Sequence, residues 1–241
     1  MALTLKDIGL KFIIEPSGPS LTDDERYLIK HLQPAGVMFR SRNFLQDAPY
    51  NEWLSCYREL VAEIRSLIKR KHVILSIDHE GGRAIRPPAP ITRFPYAIKW
   101  ADSIETVTEM IAIELRALAI NLNFAPVADI HSNPDNPVIG PRAFGSTAAE
   151  VTEKCLLFLK TLRANGISGC PKHFPGHGDT HTDSHFELPV LELPPDKLKE
   201  RELVPFKTLI NSGADIVMTA HVLYPLIDPN HPATLSEVIL K

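Results

Sequence analysis

Short apolar segments alternate with longer amphipathic segments along the chain, and this alternation limits the possible folds more than any other feature of the sequence. The apolar segments are nearly continuous in hydrophobic residues, as expected of strands covered on both faces. They occupy residues 10–15, 35–41, 72–78, 121–130, 168–174 and 214–222. The segments between them repeat apolar residues at helical spacing, which indicates helices with one buried face. Six strands with helices between them predict an α/β protein with a parallel sheet.

Residues near the segment ends predict where the helices begin and end. The predicted helices cover residues 22–32, 51–70, 103–120, 147–166 and 196–212. Thr22 is followed by Glu25, the pattern of a capping box at a helix start. Gly166 is a natural carboxyl-terminal cap for the fourth helix. The fifth contains Pro205, which we expect to bend it, because proline lacks the N–H of the helical hydrogen bond.

Two architectures fit this order of elements, a doubly wound open sheet and a (β/α)₈ barrel. No G-x-G-x-x-G motif follows a predicted strand and no P-loop is present, which weakens a nucleotide-binding open sheet. Polar residues instead cluster directly after the strands, where barrel enzymes carry their chemistry. The clusters are Arg40 and Arg42, Asp78 to Arg83, Asp129 and His131, Lys172 to His185, and His221. We therefore favour a (β/α)₈ TIM-type barrel.

Composition and charge argue against several kinds of partner. The formal net charge of -3 provides no basic surface for nucleic acid. No apolar run approaches the roughly 20 residues needed to span a bilayer, and no signal peptide pattern opens the sequence. Cys56, Cys155 and Cys170 are far apart and odd in number, which is typical of reduced thiols in the cytosol. We expect a cytoplasmic protein that binds neither nucleic acid nor a membrane.

The most unusual segment, residues 172–185, reads KHFPGHGDTHTDSH. In an extended strand, His177, Asp179 and His181 would point to the same side and could converge on a metal such as zinc. Gly176 and Gly178 favour instead a loop that turns sharply or approaches a ligand closely. From its residues alone, the segment leaves open a metal site, an acid–base site and a solvated polar loop.

The same segment resembles the K-H-F-P-G-H-G…D-S-H motif of glycoside hydrolase family 3. A second segment, SIDHEGGRAIR at 76–86, is similar to the D-x-E-G-G-R…R motif of that family. Further matches follow in the same order and spacing, at 36–44, 123–130, 139–145 and 218–222. Together they cover nearly the whole chain, and such an ordered set is more specific than any single motif. The most similar branch is that of the cytoplasmic β-N-acetylglucosaminidases of bacterial cell-wall recycling.

The resemblance implies roles for seven residues. His185 takes the place of the general acid/base, where most glycosidases use a carboxylic acid. Asp183 would bind the other ring nitrogen and raise its proton affinity, although a surface-loop hydrogen bond is the alternative for this pair. The residues that match the sugar-binding positions are Asp78, Arg86, Arg142, Lys172 and His173. For Arg86, a salt bridge within the proline-rich loop is an equally open interpretation.

One departure from the family pattern concerns the nucleophile. In family members an aspartate at the end of the seventh strand attacks the sugar, in a segment like G-V-I-x-S-D-D-L, and this sequence has no such segment. We expect one barrel domain over residues 1–241 that lacks its carboxyl-terminal part after about six strands. Open sheet edges would then favour self-association, and Asp129 or Asp215 would be a candidate to replace the nucleophile.

The function that the resemblance implies is retaining hydrolysis of terminal β-linked N-acetylglucosamine, from muropeptides or chitin-derived sugars, in the full-length protein. The partner is then a small carbohydrate, and the reaction needs no metal or organic cofactor. Two other classes remain open. One is a metal-dependent hydrolase that uses the histidine-rich segment, and the other is a sugar-binding barrel without catalysis.

Overall fold

The computed structural model describes residues 3–182 and 187–241. Its strands are β1 (Ile13–Ile14), β2 (Gly36–Phe39), β3 (Ile74–Ile77), β4 (His79–Gly81), β5 (Ala84–Ile85), β6 (Leu122–Asn123), β7 (Ser168–Gly169), β8 (Lys172–Phe174), β9 (Met218–Thr219), β10 (Leu223–Tyr224) and β11 (Asp228–Pro232). Its α-helices are α1 (Leu5–Gly9), α2 (Asp23–Leu32), α3 (Tyr50–Leu67), α4 (Ile104–Ala117), α5 (Ala148–Ala164), α6 (Pro195–Lys197), α7 (Leu203–Asn211) and α8 (Glu237–Leu240).

The main sheet is parallel throughout. It contains β1, β2, β3, β6 and β7, and their order across the sheet is the same as their order along the chain. β8 pairs in parallel with β9, and a parallel bridge between Val127 and Lys172 joins β8 to the segment after β6. The expected α/β protein with a parallel sheet is therefore confirmed.

The fifth predicted strand, at 168–174, is divided in two. β7 ends at Gly169 and β8 begins at Lys172. Pro171 lies between them and has no N–H to donate to a neighbouring strand, which interrupts the ladder. Two antiparallel hairpins, β4 with β5 and β10 with β11, follow strands of the parallel set.

The predicted helix ends are present at α2 and α5. Thr22 Oγ1 accepts a hydrogen bond from the N–H of Glu25 at 3.2 Å, and the Glu25 carboxylate accepts one from the N–H of Thr22 at 2.7 Å. The capping box is therefore confirmed. At the end of α5, Gly166 has a φ of +75°, the left-handed conformation that favours glycine after a helix.

The helix predicted at 196–212 is irregular, as Pro205 led us to expect. α6 is followed by a π-helical turn, Leu198–Glu202, and only then by α7. Pro205 cannot donate to the carbonyl of Arg201, four residues earlier, so the regular hydrogen-bond ladder is broken at this point. The π-helical turn carries Arg201 and Glu202.

Large aromatic side chains pack between the helices and the sheet. Trp53 and Tyr57 on α3 and Phe158 on α5 are fully buried. The Tyr57 hydroxyl donates to the carbonyl of Leu118 at 3.0 Å, so its polar atom is satisfied in the core. Within the described ranges, no helix is both long and apolar enough to cross a membrane.

The capping box allows a direct test of what fixes the start of α2. We expect Thr22→Ala to lower the free energy of unfolding by about 1 kcal/mol, because the N–H of Glu25 loses its acceptor. Thr22→Ser keeps the oxygen and should retain most of the stability. Urea unfolding of both variants measures the difference, and equal stability of Thr22→Ala and the wild type would contradict it.

Candidate active site

A cavity of ≈ 720 Å³ lies beside the carboxyl ends of β2, β3 and β9 and next to β8. Its lining contains all five residues that match the sugar-binding positions of the family, namely Asp78, Arg86, Arg142, Lys172 and His173. The lining also includes Met38, Arg40, Glu80, Arg83, His177 and His221. The fold therefore brings side chains from distant parts of the sequence to one concave surface, as expected of a ligand site.

Asp78 follows β3 directly and is held by two cations. Its Oδ2 accepts from Arg86 Nη2 at 2.8 Å, and its Oδ1 accepts from Lys172 Nζ at 3.0 Å. Burial favours the neutral acid, but the charges of Lys172 and Arg86 hold the pKa of Asp78 below its ordinary value. Arg86 thus forms a salt bridge and lines the cavity at the same time.

Glu80, two residues after Asp78 in β4, is a second buried carboxylate that the sequence analysis did not assign. It pairs with Lys172 Nζ at 2.5 Å, and it accepts from Arg142 through Nε at 2.8 Å and Nη2 at 3.0 Å. A bidentate pair of this kind fixes the orientation of a guanidinium. The sequence signal was the second acidic residue of the D-x-E motif, but its partners lie more than 60 residues away.

Lys172 is enclosed by these two carboxylates. Its side chain is 3% exposed, and burial alone would lower the pKa of its ammonium group. The carboxylates of Glu80 and Asp78 reverse that effect, so the pKa of Lys172 is raised above its ordinary value. Lys172 is therefore a fixed buried cation at the cavity wall.

Asp129 organises the chain on the other side of Lys172. It is fully buried, and its carboxylate accepts from the backbone N–H groups of His173 and His177 at 3.1 and 2.7 Å. His173 Nδ1 lies 2.7 Å from Asp129 Oδ2. Burial opposes ionisation of Asp129, but the facing His173 keeps its pKa below the ordinary value. Asp129 therefore positions two histidines of the cavity.

Neither aspartate considered as a replacement nucleophile lines the cavity. Asp129 has no exposed surface, and its oxygens are used by the chain itself. The side chain of Asp215 is 87% exposed, with Arg163 at 4.0 Å. Within residues 3–182 and 187–241, the carboxylates that line the cavity are those of Asp78 and Glu80, and both are ion-paired.

Residues 175–182, named the histidine loop here, do not form a strand. Gly178 approaches the backbone so closely that an added Cβ would lie 1.6 Å from the Ile130 carbonyl oxygen. His177 Nδ1 contacts Thr180 Oγ1 at 2.8 Å, and Asp179 pairs with Arg201 at 2.5 Å. These side chains have separate partners and do not converge on one point.

In the part of the chain that the structure describes, no three His, Cys, Asp or Glu side chains are grouped to hold a metal ion. Asp183 and His185, the acid–base pair that the resemblance implies, lie outside the described residues. The five residues that match the sugar-binding positions thus lie around one cavity. Their roles and that of the acid–base pair stay predictions.

A comparison with protein-family models identifies a family for this chain. The model of the family described as Glycosyl hydrolase family 3 N terminal domain matches residues 6–241. The chain belongs to this family. A beta-hexosaminidase of Methylococcus capsulatus is 38% identical over 223 residues, which are 89% of this chain and 64% of that relative. The chain therefore spans less than two thirds of the length of this curated relative.

Solved structures of family members are similar to this chain in fold. A family 3 beta-N-acetylglucosaminidase from Paenibacillus superposes with a TM-score of 0.87 at 37% identity, over 99% of this chain and 46% of that one. NagZ from Neisseria gonorrhoeae in complex with N-trifluoroacetyl-D-glucosamine has a TM-score of 0.85 at 32% identity, over 95% and 68%. The same NagZ has also been solved in complex with a zinc ion.

The buried ion pairs predict a large effect of removing the Glu80 charge. We expect Glu80→Gln to lower the free energy of unfolding by about 3 kcal/mol, because Lys172 and Arg142 would stay buried without a carboxylate between them. Urea unfolding at pH 7 measures this loss.

The matched control is Glu200→Gln, since the Glu200 side chain is 69% exposed and pairs with Lys197 at 3.5 Å. An exposed pair of this kind contributes at most about 1 kcal/mol. Equal losses in the two variants would show that the Glu80 pairs do not stabilise the fold.

Proposed function

We propose that the cavity binds the terminal N-acetylglucosamine of a β-linked sugar, and that the whole protein hydrolyses this linkage with retention of configuration. The observation that carries the proposal is the position of Asp78 between Arg86 and Lys172 on the cavity wall. A carboxylate accepts hydrogen bonds from sugar hydroxyls, and the cations beside it donate to hydroxyl and carbonyl oxygens. Family membership and the names of the relatives support the same activity.

We also propose the finer architecture, a (β/α)₈ barrel to which this chain contributes one domain over residues 1–241. The order of the parallel strands and the likeness to solved family members support it. A cytoplasmic role in the recycling of cell-wall sugars is part of the proposal, and it rests on the family branch that the sequence resembles.

In the proposed reaction, His185 protonates the leaving oxygen, and Asp183 orients its ring. A carboxylate of the whole protein attacks the anomeric carbon, and water then releases the sugar while His185 acts as the base. The ion-paired Asp78 and Glu80 are poor nucleophiles, because the neighbouring cations lower the pKa of both carboxyls and so make the carboxylates weakly basic. Among the carboxylates that line the described cavity, we therefore expect neither to act as the nucleophile.

Sugar binding by the 241-residue chain tests the proposal. We expect the wild-type chain to bind N-acetylglucosamine, and Asp78→Asn to weaken this binding at least about tenfold, because a hydrogen bond to a charged group contributes 1.5–3 kcal/mol. Ligand-observed NMR titration gives the dissociation constants, and thermal unfolding confirms that the variant is folded.

The control is Asp215→Asn, which removes the same charge at an exposed position outside the cavity. Its binding should equal that of the wild type. Wild-type affinity in a folded Asp78→Asn variant would refute the role of Asp78. No measurable binding in any of the three proteins would refute the proposed function.

The metal-dependent alternative is tested by chelation. We expect overnight dialysis against EDTA to leave N-acetylglucosamine binding unchanged. The carboxylates of the described cavity are already neutralised by Arg86 and Lys172, so the proposed binding does not require a metal ion. Binding that disappears with EDTA and returns with added zinc would favour a metal site in the histidine-rich segment instead.

A further inference from the structure

The guanidinium of Arg201, in the π-helical turn Leu198–Glu202, forms a hydrogen bond to the histidine loop. Arg201 Nη2 donates to Asp179 Oδ2 in the loop at 2.5 Å, and Arg201 Nε donates to Glu202 Oε1 at 2.6 Å. Arg201 therefore joins a carboxylate of the loop to a carboxylate of the turn. The strength of these two hydrogen bonds depends on the orientation of the guanidinium and on the charge of each carboxylate.

Glu202 lies beneath the loop and is almost completely enclosed. The residue is 1% exposed, and its Oε2 atom has no hydrogen-bond partner among the described residues. Gly176 lies directly against it, since a Cβ added to Gly176 would be 2.9 Å from Glu202 Cβ and 3.0 Å from Oε2. The loop backbone thus closes over an unsatisfied carboxyl oxygen.

The groups that face Glu202 come from four parts of the chain. They are Arg201 on the same turn, Asp179 in the loop, Asp129 after β6 and Tyr224 in β10. Tyr224 donates its hydroxyl to the carbonyl of Gly176 and so ties the loop down next to Glu202. Burial raises the pKa of Glu202 to about 7, with added repulsion from Asp129 and Asp179, although Arg201 opposes the shift.

We propose that Glu202 is a positioning residue for the histidine loop: with its carboxyl protonated the loop lies closed against the π-helical turn, and ionisation of the carboxyl releases it. The closed loop holds the backbone N–H of His177 on Asp129, beside the ring of His173 at the cavity. This role rests on the function proposed above, because it concerns the presentation of residues of the proposed sugar site.

The hydrogen-bond partners that the protonated and the ionised Glu202 require decide which of the two forms favours the closed loop. A buried carboxylate needs hydrogen bonds to both oxygens, but in the closed state Oε1 accepts one from Arg201 on the same turn while Oε2 has none among the described residues. Opening the loop admits water to Oε2, where the ionised form is stable and its pKa returns towards 4.5, the ordinary value. By linkage, raising the pH from 4.5 to 7 shifts the loop towards the open state by up to about three-hundredfold, and the shift levels off above pH 7.

Hydrogen–deuterium exchange of the amides in residues 173–182 tests this inference. After correction for the intrinsic pH dependence of exchange, we expect wild-type protection to fall at least about tenfold between pH 5.5 and pH 8.5. Glu202→Gln is neutral at every pH and should keep high protection throughout. The matched control Glu200→Gln, on the exposed face of the same turn, should follow the wild type.

Constant protection in the wild type, or a Glu202→Gln variant that follows the wild type, would overturn the inference. A measurement on the wild type alone covers the case in which Glu202→Gln does not fold. With ¹³C-carboxyl-labelled glutamate, we expect one glutamate carboxyl to titrate near pH 7 in NMR spectra. Titration of all glutamates below pH 5.5 would overturn the inference.

N-acetylglucosamine titrations at the same pH values separate this role from the proposed function. We expect wild-type affinity to be lower at pH 8.5 than at pH 5.5, while Glu202→Gln has the same affinity at both. No sugar binding at any pH, together with the expected exchange pattern, would reject the proposed function and keep the control of the loop by Glu202. Equal pH dependence of binding in both proteins would overturn the positioning role.

Discussion

Two buried carboxylates, Asp78 and Glu80, pair with three cations at 3.0 Å or less, while Arg40 lies 3.8 Å from Asp78, and the shape of the cavity depends on this network. Lys172 bridges both carboxylates, while Arg86 binds the first and Arg142 binds the second. The network joins the end of β3 and the β4–β5 hairpin to β8 and to the segment around residue 142. Because an uncompensated buried charge is costly, removing one member of this network destabilises the partners that it leaves behind.

The local elements of the fold could be predicted because their signals are local. Nearly continuous apolar segments located six strand regions, each of which contains a strand, and Thr22 marked the start of α2. Strand lengths could not be predicted in this way, since hydrogen bonds to a neighbouring strand decide them. The gap at Pro171 and the π-helical turn before Pro205 both arise where a proline removes a donor.

The site was predictable to the extent that the resemblance supplied it. All five proposed sugar-binding residues line one cavity, but the importance of Glu80 and Asp129 was missed. Each of these two acts on partners more than 40 residues away in sequence. The glycines of the segment with alternating His and Asp residues indicated a loop rather than a strand, and in the described part His177 and Asp179 contact different partners.

The proposed sugar is neutral, and its binding at so strongly paired a site is compatible with the ion pairs because they leave hydrogen-bond acceptor positions unused. A carboxylate has about four lone-pair positions, and the close bonds from Arg86 and Lys172 to Asp78 occupy two of them. The remaining positions can accept sugar hydroxyls without breaking an ion pair. Since the ion pairs already fix the side chains, the proposed binding needs little ordering of the protein, and a modest number of hydrogen bonds is then enough for it to be specific.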